Sequence, residues 1–485
     1  MIYQILKKYN AMSTPLKATI WFFVCSVLQR GVSVITTPIF TRLLTTAEYG
    51  QFSVFNSWLS IITTIVTMQL AAGVYTMGIV KFKEEEYVFT SSLQGLNLTL
   101  CLIWTSIYLL FNDFWNNIFS LTTVQMLAMM LMIWSSTAFS FWMTTQRNAY
   151  RYRLLVAVTL IVSVAKPVVG IFFVVHAQDK VTARILGLML VEIAAYSVFF
   201  FVQMKKGKTF FSAKFWKYAV FFNLPLIPHY LSSSILGSSD RIMIQRMTGV
   251  DEAGIYSLAY SISQIMTMVN DSLNKTMSPW LYQKIREKHY EAMSTVVYVC
   301  LLIIACANLF LISIAPEVVA IFAPEEYYEA VYIIPPVAMS VYVNYLYLCF
   351  APFEFYFEKR IWTTIGTLTS AAANIILNII FIRIFGYFAA GYTTLVCYAI
   401  NSFMHYYFMR KVCKTYLNDI KPYDSKLLLL ISVTFMVIGF IYILTYQNIL
   451  VRYMLTIALL LIFAVWVKKI WPRMKGVLKQ DKEGK

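Results

Sequence analysis

An all-helical, membrane-spanning protein built from two copies of one helical unit is the fold class this chain predicts, on three observations. Of its 485 residues, 59% are hydrophobic and only 13% charged, with a mean hydropathy of +0.66, a composition whose solvent is lipid. Its apolar runs are about 20 residues long and lack the period-two alternation of a barrel strand; in hydrocarbon a backbone must satisfy its own hydrogen bonds, so these runs read as helices. Finally, Arg42, Glu48, Gly50, Phe52 and Ser53 recur 204 residues later as Arg246, Glu252, Gly254, Tyr256 and Ser257. A duplication at that spacing encloses about six spans per copy. The expected fold is therefore an all-α polytopic membrane protein of about 14 transmembrane helices, with two parallel six-helix repeats around a central cavity and a C-terminal helix pair.

In chain order, the first repeat, 1–204, carries apolar spans at 18–40, 51–74, 88–111, 122–145, 154–175 and 184–204. A Lys-rich cytoplasmic connection covers 205–216. The second repeat, 217–411, carries spans at 217–239, 254–275, 294–315, 330–352, 362–382 and 386–409. Residues 412–485 add two further spans, 427–446 and 450–467, and a basic tail outside the symmetry. Six spans is an even number, so both repeats enter the bilayer in the same sense and are related by an axis along the membrane normal. Pro38, Pro167 and the pair Pro225 and Pro228 fall inside spans one, five and seven, where each removes a helix hydrogen bond and can bend the chain.

Charge gives the orientation. With the N-terminus inside, the even-numbered connections and both tails hold 31 of the 40 Lys and Arg residues, and the odd connections hold seven. That partition is the positive-inside signature, and it puts both termini in the cytoplasm. The net charge of +17 is then concentrated in loops such as Lys205, Lys206, Lys208, Lys214 and Lys217, beside anionic headgroups. No nucleic acid partner is needed to explain it. The N-terminus has no apolar region followed by a small-residue cleavage site, so the first span is expected to remain as a signal anchor.

Several chemistries are disfavoured. The seven cysteines form no CxxC and lie in spans or on the cytoplasmic side, which supports neither a disulfide framework nor a zinc site. The four histidines, His176, His229, His289 and His405, have no partner at metal-ligand spacing. Connections of at most about 15 to 18 residues leave no room for a soluble catalytic domain, so neither an enzyme nor a cofactor is expected.

Polar residues inside the spans mark the candidate site. On a helix, positions i, i+4, i+7 and i+11 share a face; span one places Ser26, Arg30, Ser33 and Thr37 there. Span two carries Ser53, Ser57, Ser60 and Thr67, and span eight, at the repeat offset, carries Ser257, Ser261, Gln264 and Asp271. A Lys or Arg near the bilayer centre costs about 2.5–3.5 kcal/mol on insertion scales, so it needs a wet cavity or a partner. Arg30 and Lys166 lie near mid-span and either line a cavity or pair with buried acids such as Glu192 or Asp271. Asp240 and Arg241, at the outer end of span seven, are adjacent and able to pair locally. Cavity candidates are thus Arg30, Lys166, Arg241, Ser60, Thr67, Gln264 and Asp271. Candidates for proton or sodium coupling are Asp271, Glu192 and His229.

Certain segments resemble a known family. Arg30-Gly31, the run Thr37-Pro38-Ile39-Phe40-Thr41-Arg42-Leu43-Leu44 and Glu48-Tyr49-Gly50 are similar to the opening signature of the polysaccharide repeat-unit flippases, of O-antigen and capsule type. These belong to the multidrug/oligosaccharidyl-lipid/polysaccharide exporter superfamily. Asp240-Arg241, Gly254-Ile255-Tyr256-Ser257-Leu258-Ala259-Tyr260 and Pro279-Trp280-Leu281-Tyr282 resemble its segments around spans seven and eight. The resemblance covers essentially the whole chain and is weak for substrate. It implies a bacterial inner-membrane protein that moves undecaprenyl-pyrophosphate-linked oligosaccharides between leaflets, with a polysaccharide polymerase and a chain-length regulator as partners beside the lipid-linked substrate and the bilayer. The cationic residues would meet the pyrophosphate, and the Ser, Thr and Gln stripes with Trp58 would meet the sugars. The alternatives are an exporter of lipid II or drugs from the same superfamily, a membrane-embedded glycan polymerase or acyltransferase, and a scaffold subunit of a glycan-assembly complex.

Overall fold

The computed structural model describes residues 12–483; expectations for the first eleven residues and the last two lie outside the described residues. Regular structure among the described residues is helical throughout. In chain order the helices are α1 (Thr14–Leu43), α2 (Thr46–Thr67), α3 (Gly73–Lys81), α4 (Glu86–Leu110), α5 (Asn112–Phe119), α6 (Thr123–Asn148), α7 (Tyr152–His176), α8 (Lys180–Gly207), α9 (Ala213–Asn223) and α10 (Ile227–Met247). They continue as α11 (Val250–Ser263), α12 (Ile265–Glu287), α13 (Tyr290–Ser313), α14 (Ala315–Phe322), α15 (Ile334–Tyr356), α16 (Arg360–Phe385), α17 (Ala389–Tyr416), α18 (Ser425–Leu444) and α19 (Ile449–Glu483). The chain forms two compact units that divide between Ser238 and Ser239, inside α10.

Eleven helical stretches among the described residues are long and apolar enough to cross a membrane. The other three expected spans fall on α2, on α11 with α12, and on α17, which carry more polar side chains. Fourteen crossings are compatible with this helix order.

Span two is shorter than expected. Its helix ends at Thr67 rather than 74, because Met68 and Gln69 turn left-handed at φ 49° and 53°. The freed carbonyls are answered by a buried amide: Asn223 Nδ2 donates to Met68 O at 2.8 Å and to Gln69 O at 3.0 Å. Span seven breaks where the prolines stand, into α9, a 3-10 turn at Leu224–Leu226 and α10. Span eight breaks at Gln264, between α11 and α12. Pro38, by contrast, sits within an uninterrupted α1.

The repeated Glu has a local cause in both copies. At the start of α2, Thr45 and Glu48 form a reciprocal capping box, with Glu48 N donating to Thr45 Oγ1 at 3.2 Å and Thr45 N to Glu48 Oε2 at 2.8 Å. Its repeat mate Glu252 stands in the first turn of α11, where a carboxylate is favoured by the positive helix end.

In the first unit α8 packs against α4, α6 and α7; in the second, α15 packs against α12, α13 and α17. Burial follows position. The apolar stretch of α15 is 78% buried, that of α1 only 11%, and outward apolar side chains such as Ile35 and Leu110 are left for lipid. Gly95 on α4 is required by close approach: a Cβ there would stand 2.0 Å from the carbonyl oxygen of Phe210.

Candidate functional site

A polar cavity of about 310 Å3 opens within the first unit. α2 supplies Asn56, Ser60 and Thr63, the turn after it supplies Gln69, α6 supplies Ser136, and α8 supplies Glu192. Three of these six groups are already half satisfied by their own helices. Asn56 Nδ2 donates to Phe52 O at 3.0 Å, Thr63 Oγ1 to Leu59 O at 2.5 Å, and Ser136 Oγ to Ile133 O at 3.3 Å. A hydroxyl that has donated backwards keeps its lone pairs for another partner, so this wall can accept hydrogen bonds from a ligand rich in hydroxyls.

The one acid in that wall is neutralised. Glu192 is 6% exposed, and Lys166 Nζ reaches its Oε1 at 2.5 Å. The same ammonium lies 5.7 Å from the ring centre of Tyr196. Mutual neutralisation is how two charges persist at membrane depth.

The structure thus brings three of the sequence candidates together, Ser60 and Glu192 directly and Lys166 through its pair. Thr67 is buried and structural in its contacts, donating to Thr63 O at 2.7 Å and accepting from Gln69 N at 3.2 Å. Arg30 is half-buried in the middle of α1 and does not line the cavity. His229 is half-buried on α10, its ring 5.7 Å from that of Tyr230. Trp58 packs edge-on against Phe119, 4.7 Å between ring centres. In the second unit, Gln264 occupies the helix break, Asp271 is half-buried on α12, and the guanidinium of Arg241 lies 4.0 Å from the ring centre of Tyr260.

Two buried polar centres in the second unit have partners that the sequence does not indicate. Asp240, 2% exposed, accepts from Tyr256 Oη at 2.7 Å, Thr394 Oγ1 at 2.7 Å, Asn378 Nδ2 at 2.7 Å and Asn374 Nδ2 at 3.1 Å. Four neutral donors fill the acceptor sites of one carboxylate, and they come from α11, α16 and α17. Asn374 and Asn378 stand one turn apart, a signal the sequence does contain. The second centre is Glu354 on α15 with His405 on α17: Nδ1 and Oε1 lie 2.6 Å apart, and both side chains are fully buried. Among the described residues no group of three or more His, Cys, Asp or Glu side chains is placed to hold a metal ion. All seven cysteines are free.

Comparison with known proteins adds to this geometry. The model of a family described as polysaccharide biosynthesis protein matches residues 16–284. A protein of the Lsg locus of Haemophilus influenzae is 22% identical over an alignment of 293 residues that covers 56% of this chain and 67% of that one. Among solved structures, the lipid II flippase MurJ in an inward closed conformation aligns with a TM-score of 0.71 at 14% identity, covering 93% of this chain and 99% of that one. An inward-facing multidrug resistance MATE family transporter of the MOP superfamily aligns with a TM-score of 0.61 at 12% identity, covering 80% and 96%. At such identities the likeness is one of fold.

Proposed function

The chain belongs to the polysaccharide biosynthesis protein family, and from that premise we propose that it is a flippase for undecaprenyl-pyrophosphate-linked oligosaccharide repeat units. It carries them from the cytoplasmic to the periplasmic leaflet of a bacterial inner membrane, with both its termini in the cytoplasm, and it makes and breaks no covalent bond. The product supplies surface polysaccharide assembly, where a polymerase and a chain-length regulator act next. Its working parts are the six-helix repeats 1–204 and 217–411, the connection 205–216 and the additional helices of 412–485, and it operates by alternating access of the repeats.

The observation that carries this reading is the polar cavity around Ser60, Thr63, Ser136 and Glu192. A sugar presents many hydroxyl donors, and that wall presents acceptors. Because Glu192 neutralises Lys166, net positive charge for the pyrophosphate falls to Arg30, with Arg241 in the second unit. Gln264 and Asp271 complete the proposed substrate contacts, Thr67 supports the cavity wall from behind through Thr63, and Asp271, Glu192 and His229 remain the proposed groups for proton or sodium coupling.

The test is a leaflet assay in a flippase-deficient bacterium expressing this chain, following periplasmic accessibility of labelled lipid-linked repeat units. Restored accessibility that Arg30→Ala abolishes is the expected result. Accessibility no greater than in the deficient strain, with several repeat-unit types, would overturn the reading.

A further inference from the structure

A second cavity, of about 600 Å3, lies in the first unit at the start of two long helices. α1 contributes Thr14 and Lys17, the end of α6 contributes Gln146, the connection into α7 contributes Tyr150 and Arg151, and the first turn of α7 contributes Arg153. Three of these residues are cationic, and Arg151 and Arg153 are exposed.

The local electrostatics are one-sided. The chain has no Asp or Glu before Glu48 and none between Asp113 and Asp179, so the segments that build this cavity carry no acid of their own. Two helices point their positive ends at it: α1 begins at Thr14 and α7 at Tyr152, and neither has a side-chain hydrogen bond capping its first turn. The opposing negative end is already quenched, since Thr145 O, Gln146 O and Arg147 O at the close of α6 accept from the backbone N–H groups of Ala149, Arg151 and Tyr150. An aromatic pair, Trp21 on Tyr152 with ring centres 6.4 Å apart, stands beside the cavity, and such amphipathic rings collect at headgroup depth.

We propose that this cavity binds a lipid-borne phosphate, held by the forks of Arg151 and Arg153, by Lys17 and by the two helix ends. Basic pockets between membrane helices hold lipid headgroups in this manner, and arginine adds a planar, two-pronged match to phosphate oxygens. A phospholipid phosphodiester and a polyprenyl pyrophosphate share the chemistry. The site is separate from the cavity around Ser60, and lipid would be retained here even by a chain that moved no glycolipid.

The purified full chain, in neutral detergent, is titrated with dioctanoyl phosphatidylglycerol, dioctanoyl phosphatidylcholine and farnesyl pyrophosphate, and bound ligand is counted by native mass spectrometry. One or both phosphate-bearing anions should bind about tenfold more tightly than phosphatidylcholine, and Arg151→Gln/Arg153→Gln should remove that preference. The tighter of the two anions identifies the source of the phosphate. Lys205→Gln/Lys206→Gln, which removes two exposed cations outside this cavity whose pull on headgroups is only general, should lower that preference far less. No preference for either anion, or equal losses in the two double variants, would overturn the proposal.

Discussion

Glu354 and His405 hold one another across a 2.6 Å hydrogen bond between α15 and α17, with neither side chain exposed. Thr363 Oγ1 adds a longer bond to the same carboxylate at 3.4 Å. The other face of the imidazole is sealed by backbone, for a Cβ on Gly366 would come within 2.8 Å of Nε2. Tyr347 closes a further side, its ring centre 4.5 Å from that of the histidine. The pair is therefore a fixed joint between the central helix of the second unit and α17.

That enclosure makes the two partners unequal as targets of mutation. His405→Phe leaves a buried carboxylate with one long hydrogen bond, a loss expected to cost about 3–5 kcal/mol. Glu354→Gln keeps an oxygen able to accept from Nδ1 and should cost only about 1 kcal/mol. Thermal melting of the two variants in one detergent checks the order. Equal losses would mean that the joint is held by packing alone.

Lys166 and Glu192 differ in that the lysine is part exposed, 29% against 9% for the glutamate side chain. Removing the ammonium with Lys166→Met strands an acid at the cavity wall and should destabilise by about 2 kcal/mol, between the values for surface and buried pairs. Adding Glu192→Gln to that variant should restore most of the stability, because the stranded charge is gone. A double variant no more stable than the single one would show that Glu192 has another cation as its principal partner.

Much of this architecture was legible in the residues, and the reasons are physical. Lipid forces helices, and apolar runs mark them, so span positions emerge without any contact being known. The repeat was legible too, because Glu48 and Glu252 serve the same turn of matching helices. The end of α2 was not: it depends on Asn223, more than 150 positions away, donating to carbonyls that a local reading counts as helical. Asp240 was likewise seen beside Arg241 in sequence, while its donors Tyr256, Asn374, Asn378 and Thr394 arrive from three other helices. Ser60 and Glu192 were named for their polarity at depth. Asn56, Thr63 and Ser136 were not, since a polar side chain bonded to its own helix looks the same in sequence whether or not it faces a cavity.

Ser60 tests whether the cavity is used. It is an exposed residue on the cavity wall, and its hydroxyl is small. Ser60→Leu fills space and removes an acceptor without touching the buried core, so melting should move by no more than about 2 °C. Repeat-unit accessibility at the periplasmic leaflet should fall by about tenfold, the effect of a volume the ligand can no longer share. Full transport at normal expression would separate the cavity from the substrate path.

Glu48 tests the opposite expectation, that a repeated signature residue serves folding rather than transport. Its carboxylate accepts from Thr45 N, and its own backbone N–H is answered by Thr45 Oγ1. Gln fills the same place in a capping box, so Glu48→Gln should be nearly neutral, whereas Glu48→Ala should cost about 1 kcal/mol. Transport per folded molecule should be unchanged in both. A Glu48→Gln variant that folds normally yet moves no repeat units would place this carboxylate's charge in the transport step, since the hydrogen bonds to Thr45 would still be made.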